Sequence, residues 1–141
     1  MTGRFSTFIL LGVCAALLSG CVSREQADTK MAKGCEAGVK VILPEGRTIA
    51  RIAKTEFTPA TEGPGMRHVK LTAIENDGFL ETENVFECVF EENFGFLNGS
   101  HSAAIYQVRA GDLVIGKSGN EIIGDAQTFI KLNDAMREVM Y

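Results

Sequence analysis

Several things are scarce in this 141-residue chain, and each scarcity removes a class of function. There is no apolar run of the roughly 20 residues that a helix needs to cross the hydrocarbon core of a bilayer. The stretch from Phe5 to Leu18 is 14 residues long and is broken by Ser6, Thr7 and Gly12. There is no basic cluster either: 14 Lys and Arg stand against 18 Asp and Glu, for a net charge of −4. That balance argues against nucleic acid as a partner and against electrostatic docking on anionic lipid. The two histidines, His68 and His101, sit in no metal-ligand spacing with cysteine or with each other, so neither a metal nor a cofactor is expected. Ser100-His101-Ser102 lacks the G-x-S-x-G elbow of a hydrolytic serine. No internal repeat and no low-complexity segment is visible.

What is present begins at the N-terminus. A cationic start, Arg4, precedes the apolar run, and small residues then lead to a cysteine in Leu18-Ser19-Gly20-Cys21. This three-part anatomy is that of a secretory signal peptide, and the junction resembles the lipobox of bacterial lipoproteins at every position. The resemblance covers residues 1–21 only. It implies cleavage before Cys21, diacylation of the Cys21 sulfur and, in many bacteria, acylation of the new amino group. Such an anchor makes physical sense: one acyl chain, at ~0.8 kcal/mol per buried CH₂, holds only marginally, whereas two or three hold essentially permanently. By the family's sorting rule an Asp after the lipidated cysteine retains the protein at the inner membrane. Val22 stands there, which implies the cell outer membrane, facing the periplasm.

The expected organisation is therefore a cleaved signal over residues 1–20, a lipidated tether over 21–29 and a single globular domain over 30–141. Losing residues 1–20 removes one basic residue, Arg4, and no acid, so the mature 121 residues carry a net charge of −5. That length suffices for a core without a metal.

Within the mature chain, Ser23 and Gln26 have capping-box spacing. Ala27, Met31, Cys35, Val39, Ile42 and Leu43 then draw one stripe along a helix, from about Ala27 to Leu43, which Pro44 and Gly46 end. Thr48 to Phe57 fits both an amphipathic helix and a strand, and its Thr and Ile content inclines to strand. Thr58 to Gly65, with two prolines and two glycines, is a loop. Val69 to Ile74, the turn Asn76-Asp77-Gly78 and Phe79 to Glu91 read as a hairpin. Phe86, Cys88 and Phe90 face inward, and Val85, Glu87, Val89 and Glu91 face the solvent; Thr82-Glu83-Asn84 is a candidate bulge or break. Asn93 to Ser100 reads as a loop with two exposed phenylalanines, Phe94 and Phe96. Ala103 to Val108 and Leu113 to Ile115 read as strands, and Asp125 caps a last helix with Ala126, Phe129, Ile130, Met136, Val139 and Met140 on one side. The expected fold class is α+β: an N-terminal helix packed on an antiparallel sheet of four to five strands, with a C-terminal helix.

Of the four cysteines, Cys14 leaves with the signal and Cys21 takes lipid, which leaves Cys35 and Cys88. Cys35 lies on the buried helix stripe and Cys88 on the inward strand face. In an oxidising compartment, two such cysteines on facing layers are expected to be bonded.

Two patterns suggest catalysis and both have simpler readings. Gly111 to Ser118 satisfies the nucleotide-binding expression G-x₄-G-K-[ST]. Leu113, Val114 and Ile115 inside it want to be a strand, so a strand and a turn are expected and no nucleotide. Seven acids lie between Glu75 and Glu92 (Glu75, Asp77, Glu81, Glu83, Glu87, Glu91 and Glu92) with no Lys or Arg among them. Glu87 and Glu91 among them mark the solvated face of an amphipathic strand, as the period of two requires, with a cationic partner or an acid–base pair of an envelope hydrolase as the alternatives. The expected role is thus a non-enzymatic envelope lipoprotein that binds another envelope protein in assembly or maintenance. The alternative is a periplasmic inhibitor or ligand-binding module with Phe94 and Phe96 as contacts.

Overall fold

The computed structural model describes residues 20–141. The expected signal peptide up to Ser19, and with it half of the lipobox, lies outside the described residues. Helix α1 (Arg24–Ile42) opens the domain, followed by β1 (Thr48–Pro59), β2 (Met66–Asn76), β3 (Glu81–Phe94), β4 (His101–Ala110), β5 (Leu113–Ser118), β6 (Glu121–Ile123) and helix α2 (Ala126–Met140). Each strand pairs antiparallel with the next, so the sheet order is the chain order, β1 to β6. The α+β class with a helix at each end is as expected, whereas the sheet has six strands rather than four or five. The unforeseen strand is β6, three exposed residues held by backbone pairing with β5 around the Gly119-Asn120 turn, too short to show a period.

Helix α1 begins where its cap dictates. The Ser23 hydroxyl accepts from Gln26 N and the Gln26 side chain accepts from Ser23 N, the full capping box. The helix therefore starts at Arg24, so residues 24–29, expected in the tether, are helical. The stripe Ala27, Met31, Cys35 and Val39 is buried as expected. Gly34 and Gly38, on the same face, are buried for a reason the stripe did not show. A Cβ on Gly34 would collide with the Met140 side chain and sit 3.5 Å from Phe90 Cζ, and one on Gly38 would collide with Met136 and lie 3.2 Å from Leu132. The two glycines form a notch into which α2 settles. Accordingly α2 buries Phe129, Leu132, Met136 and Met140, while Ile130 and Val139, expected on its buried side, are exposed.

Both helices pack on one face of the sheet, over Val69, Leu71 and Ala73 of β2, Phe86, Cys88 and Phe90 of β3, Ile105 and Val108 of β4 and Ile115 of β5. Each Val, Leu, Ile and Phe among them, once buried, contributes roughly 1.5–3 kcal/mol. Cys35 and Cys88 are disulfide-bonded across this layer, with Cα atoms 5.8 Å apart.

Strand β3 runs without a break through Thr82–Asn84. The irregularity lies further on, where Phe90 pairs with Ile105 and Val89 with Gln107, leaving Tyr106 as the extra residue of a bulge. The bulge resets the parity of β4, and so both Ile105 and Val108 reach the core. On the far face of the sheet Val89, expected to be solvated, is fully buried. Its cross-strand neighbours are His68 and Gln107. Gln107 accepts from Arg109 (2.6 Å), which also donates to Glu62 of the β1–β2 connection (2.6 Å). A layer of polar side chains thus encloses one apolar residue.

Candidate functional site

Strand β3 is 14 residues long, on the order of 40 Å, and connections at its two ends carry the most exposed apolar side chains of the sheet. At one end is the β3–β4 loop, next to the start of α1. At the other is the β2–β3 turn, next to the end of α1.

The first end is built around Cys21. With the helix capped at Ser23 there is little slack: Val22 N donates to Asn98 O at 2.7 Å, and Cys21 Sγ lies 3.4 Å from Leu97 O. A partly buried ionic network fastens the base of the loop. Arg24 donates twice to Glu92 (2.7 Å each) and lies 3.0 Å from Asp28; Arg67 donates twice to Asp28 (3.0 and 2.7 Å); and Nε2 of His101 donates to Glu92 (3.1 Å). Burial alone would push the Glu92 carboxyl up. The hydrogen bonds and charges of Arg24 and His101 outweigh it and hold Glu92 below the usual carboxylate range. The same bond to Glu92 raises the Arg24 guanidinium.

Phe94 is the last residue of β3 and is half-buried within this network, its ring 4.8 Å from that of His101 and 5.0 Å from the Arg24 guanidinium. Of the two phenylalanines expected as exposed contacts, only Phe96 is available. In the loop beyond, Gly95 N donates to Ser100 O, Asn98 N to Gly95 O and Gly99 N to Phe96 O, which closes a single 3-10 turn over Phe96–Asn98. Phe96 is 90% exposed and Leu97 is 76% exposed. Leu97 (φ 51°) and Asn98 (φ 55°) are both left-handed, a conformation asparagine tolerates and leucine avoids.

At the opposite end the turn is made by residues suited to it. Asp77 accepts from Phe79 N (3.0 Å) and Leu80 N (2.9 Å), Asn76 accepts from Gly78 N (2.6 Å), and Gly78 supplies the positive φ of 96°. The N–H groups of Leu80 and Phe79 hold the Asp77 carboxyl low. The turn presents Phe79 (95% exposed) and Leu80 (68% exposed). The sequence places Phe79 in the returning strand, but that strand begins at Glu81. Two apolar residues directly after Asn-Asp-Gly were the available signal.

Beside this turn the β3–β4 ladder begins only at Phe86 and Ala110, so Glu81–Val85 pair with β2 and, among the described residues, with no strand on their other side. A groove of about 360 Å³ opens there, lined by Ile42, Leu43 and Pro44 at the end of α1, by Val85, and by Leu113. Its polar wall is Glu75, buried and accepting from Asn84 (2.9 Å) and Arg47 (3.3 Å).

The seven acids do not converge. Glu75 is held as just described, Asp77 is used in its turn, Glu81 pairs with Arg51 (3.0 Å), and Glu92 belongs to the ionic network. Glu87 lies 3.5 Å from His68 and 3.9 Å from Arg109 and is only half-exposed, so the expectation of a fully solvated face holds for Glu91 but not for Glu87. His101 is buried, and its Nδ1 has no hydrogen-bond partner among the described residues. Among the described residues no group of three or more His, Cys, Asp or Glu is placed to hold a metal ion. The G-x₄-G-K-S stretch is a turn at Gly111-Asp112 followed by β5, and Ser118 leads through a turn into β6 where a phosphate-binding loop would lead into a helix. No protein-family model, curated protein or solved structure matches the chain.

Proposed function

We propose that this chain is a bacterial lipoprotein held by acyl chains on Cys21 in the outer membrane, facing the periplasm. In this reading its role is non-enzymatic: it binds another envelope protein in assembly or maintenance. The observation that carries the reading is the separation of the two exposed apolar sites along β3. Cys21 lies against one of them, and the other, Phe79-Leu80, is as far from Cys21 as that strand allows. A chain tethered at the first end presents the second to the periplasm. The open edge Glu81–Val85 and the groove beside it suit an extended segment of a partner, whose backbone would continue the sheet while an apolar side chain enters the groove.

The test uses two readouts in the full-length chain. Fatty-acid label should appear on the wild-type protein and be lost in Cys21→Ala. A partner cross-linked to the wild-type protein in intact cells should be lost in Phe79→Ser/Leu80→Ser, while label and abundance stay unchanged. Label that persists in Cys21→Ala, or a partner retained by the double variant, would count against the proposal.

A further inference from the structure

The β3–β4 loop is more than the place where Cys21 emerges. Three features of it lack an explanation within the folded domain. Phe96 and Leu97 are almost fully exposed and pack on nothing in the core. Leu97 holds a left-handed backbone that a leucine pays for, although Asn98 beside it shows that the chain can place a suitable residue there. Finally, Asn93 to Ser100 contain no charged residue, in a chain that is 23% charged. The Phe79-Leu80 turn is different, being flanked by Asp77 and Glu81.

Position supplies the missing partner. Sγ of Cys21 lies 3.4 Å from the Leu97 carbonyl oxygen and Val22 is bonded to Asn98, so acyl chains on that sulfur start at the loop itself and not at the end of a long leash. We infer that the β3–β4 loop is a membrane-contacting prong, with Phe96 and Leu97 entering the acyl-chain boundary of the leaflet that holds the lipid of Cys21. This rests on the lipidation proposed above. An uncharged loop with a phenylalanine and a leucine at its tip suits that boundary, and the acid-flanked turn at the other end does not. The prong fixes the orientation of the domain: β3 stands away from the membrane and Phe79-Leu80 points into the periplasm. Attachment then has two components, chains that hold the protein and a loop that sets its angle.

The chain has no tryptophan, so a single one reports cleanly. The lipidated protein carrying Phe96→Trp, or Phe79→Trp as the comparison, is reconstituted in phosphatidylethanolamine–phosphatidylglycerol vesicles. The Phe96→Trp protein should show blue-shifted emission, quenched by brominated acyl chains and shielded from aqueous iodide, and the Phe79→Trp protein should show the reverse. Adding Leu97→Asp to Phe96→Trp, at a position outside the core, should restore access to iodide. Mass analysis of the same samples separates the two ways of failing. Acylated Cys21 with iodide-accessible Phe96→Trp emission overturns the prong and leaves the anchor standing, and so does protection that survives Leu97→Asp. An unacylated Cys21 in the mature protein overturns the anchor and the prong together.

Discussion

The two ends of β3 expose similar side chains, an aromatic followed by a leucine, on connections made in opposite ways. At the Phe79-Leu80 end, Asn76, Asp77 and Gly78 are the residues a tight turn asks for, and the turn would form whatever the next two side chains were. At the Phe96-Leu97 end the local sequence opposes the conformation, since a leucine stands where glycine or asparagine would be easier. That loop is held from below by the Arg24–Glu92–His101 network and from the side by the Val22–Asn98 bond. The turn is therefore stable by local chemistry and the loop by tertiary contacts, and the difference shows what each end can tolerate.

The most severe way to break the comparison is to remove what the ends share. Cys88 lies near the middle of β3 and Cys35 near the middle of α1, so their bond staples the waist of the molecule. Closing a loop over a separation of 53 residues is worth about 4 kcal/mol in the chain-entropy model. Cys35→Ser/Cys88→Ser should accordingly lower Tm by on the order of 15 °C. Hydrogen exchange should show both ends losing protection together, whereas loss at one end only would mean that they fold as separate units.

A smaller change should separate the ends. Glu92→Gln leaves Arg24 and His101 with a weaker acceptor and should cost about 1–2 kcal/mol, with the loss of protection centred on the β3–β4 loop and the β2–β3 turn unaffected. It should also alter the response to acid. The folded pKa of Glu92 lies below its ordinary value of 4.5, so its stabilising effect is complete above about pH 5 to 6 and is lost as pH falls from 4.5 through the folded value. Chemical denaturation between pH 6 and pH 3 should therefore be less pH-dependent in Glu92→Gln than in the wild type. An unchanged slope would show that the carboxylate is not held low.

The smallest effects sharpen the contrast most. Leu97→Gly relieves the left-handed leucine at the cost of chain entropy, and should leave the fold more stable by about 0.5 kcal/mol. Phe79→Ser, at a turn that does not depend on the side chain, should change stability by less than about 0.5 kcal/mol. Destabilisation by Leu97→Gly in urea melts would mean that the leucine makes a contact the exposed geometry does not contain.

Much of the fold was legible because its signals are local and periodic. The capping box at Ser23, the stripe from Ala27 to Val39, the inward face Phe86-Cys88-Phe90 and the Asp125 cap all involve residues close together in the chain, and each appears where the pattern put it. The pairing of Cys35 with Cys88 also followed, because two independent periods pointed both residues at the same core. Candidate sites were legible only in part. Cys21 and Phe96 could be singled out by type, while Phe94, similar in sequence, proved to be part of the ionic network.

What the sequence determined by itself is the α+β class, the buried stripe of α1, the inward face Phe86-Cys88-Phe90 of β3 and the caps at Ser23 and Asp125, since those depend on hydrogen bonds and apolar periods within a few residues. Tertiary structure alone decided that Gly34 and Gly38 form the notch for α2, that the Tyr106 bulge brings Val108 to the core, and that Val89 is buried beneath polar neighbours. It also decided that Leu97 lies against Cys21, 76 positions away. Each of these is a contact between surfaces whose shapes exist only once both have folded, and no period along the chain encodes a distance between segments that meet for the first time in the packed core.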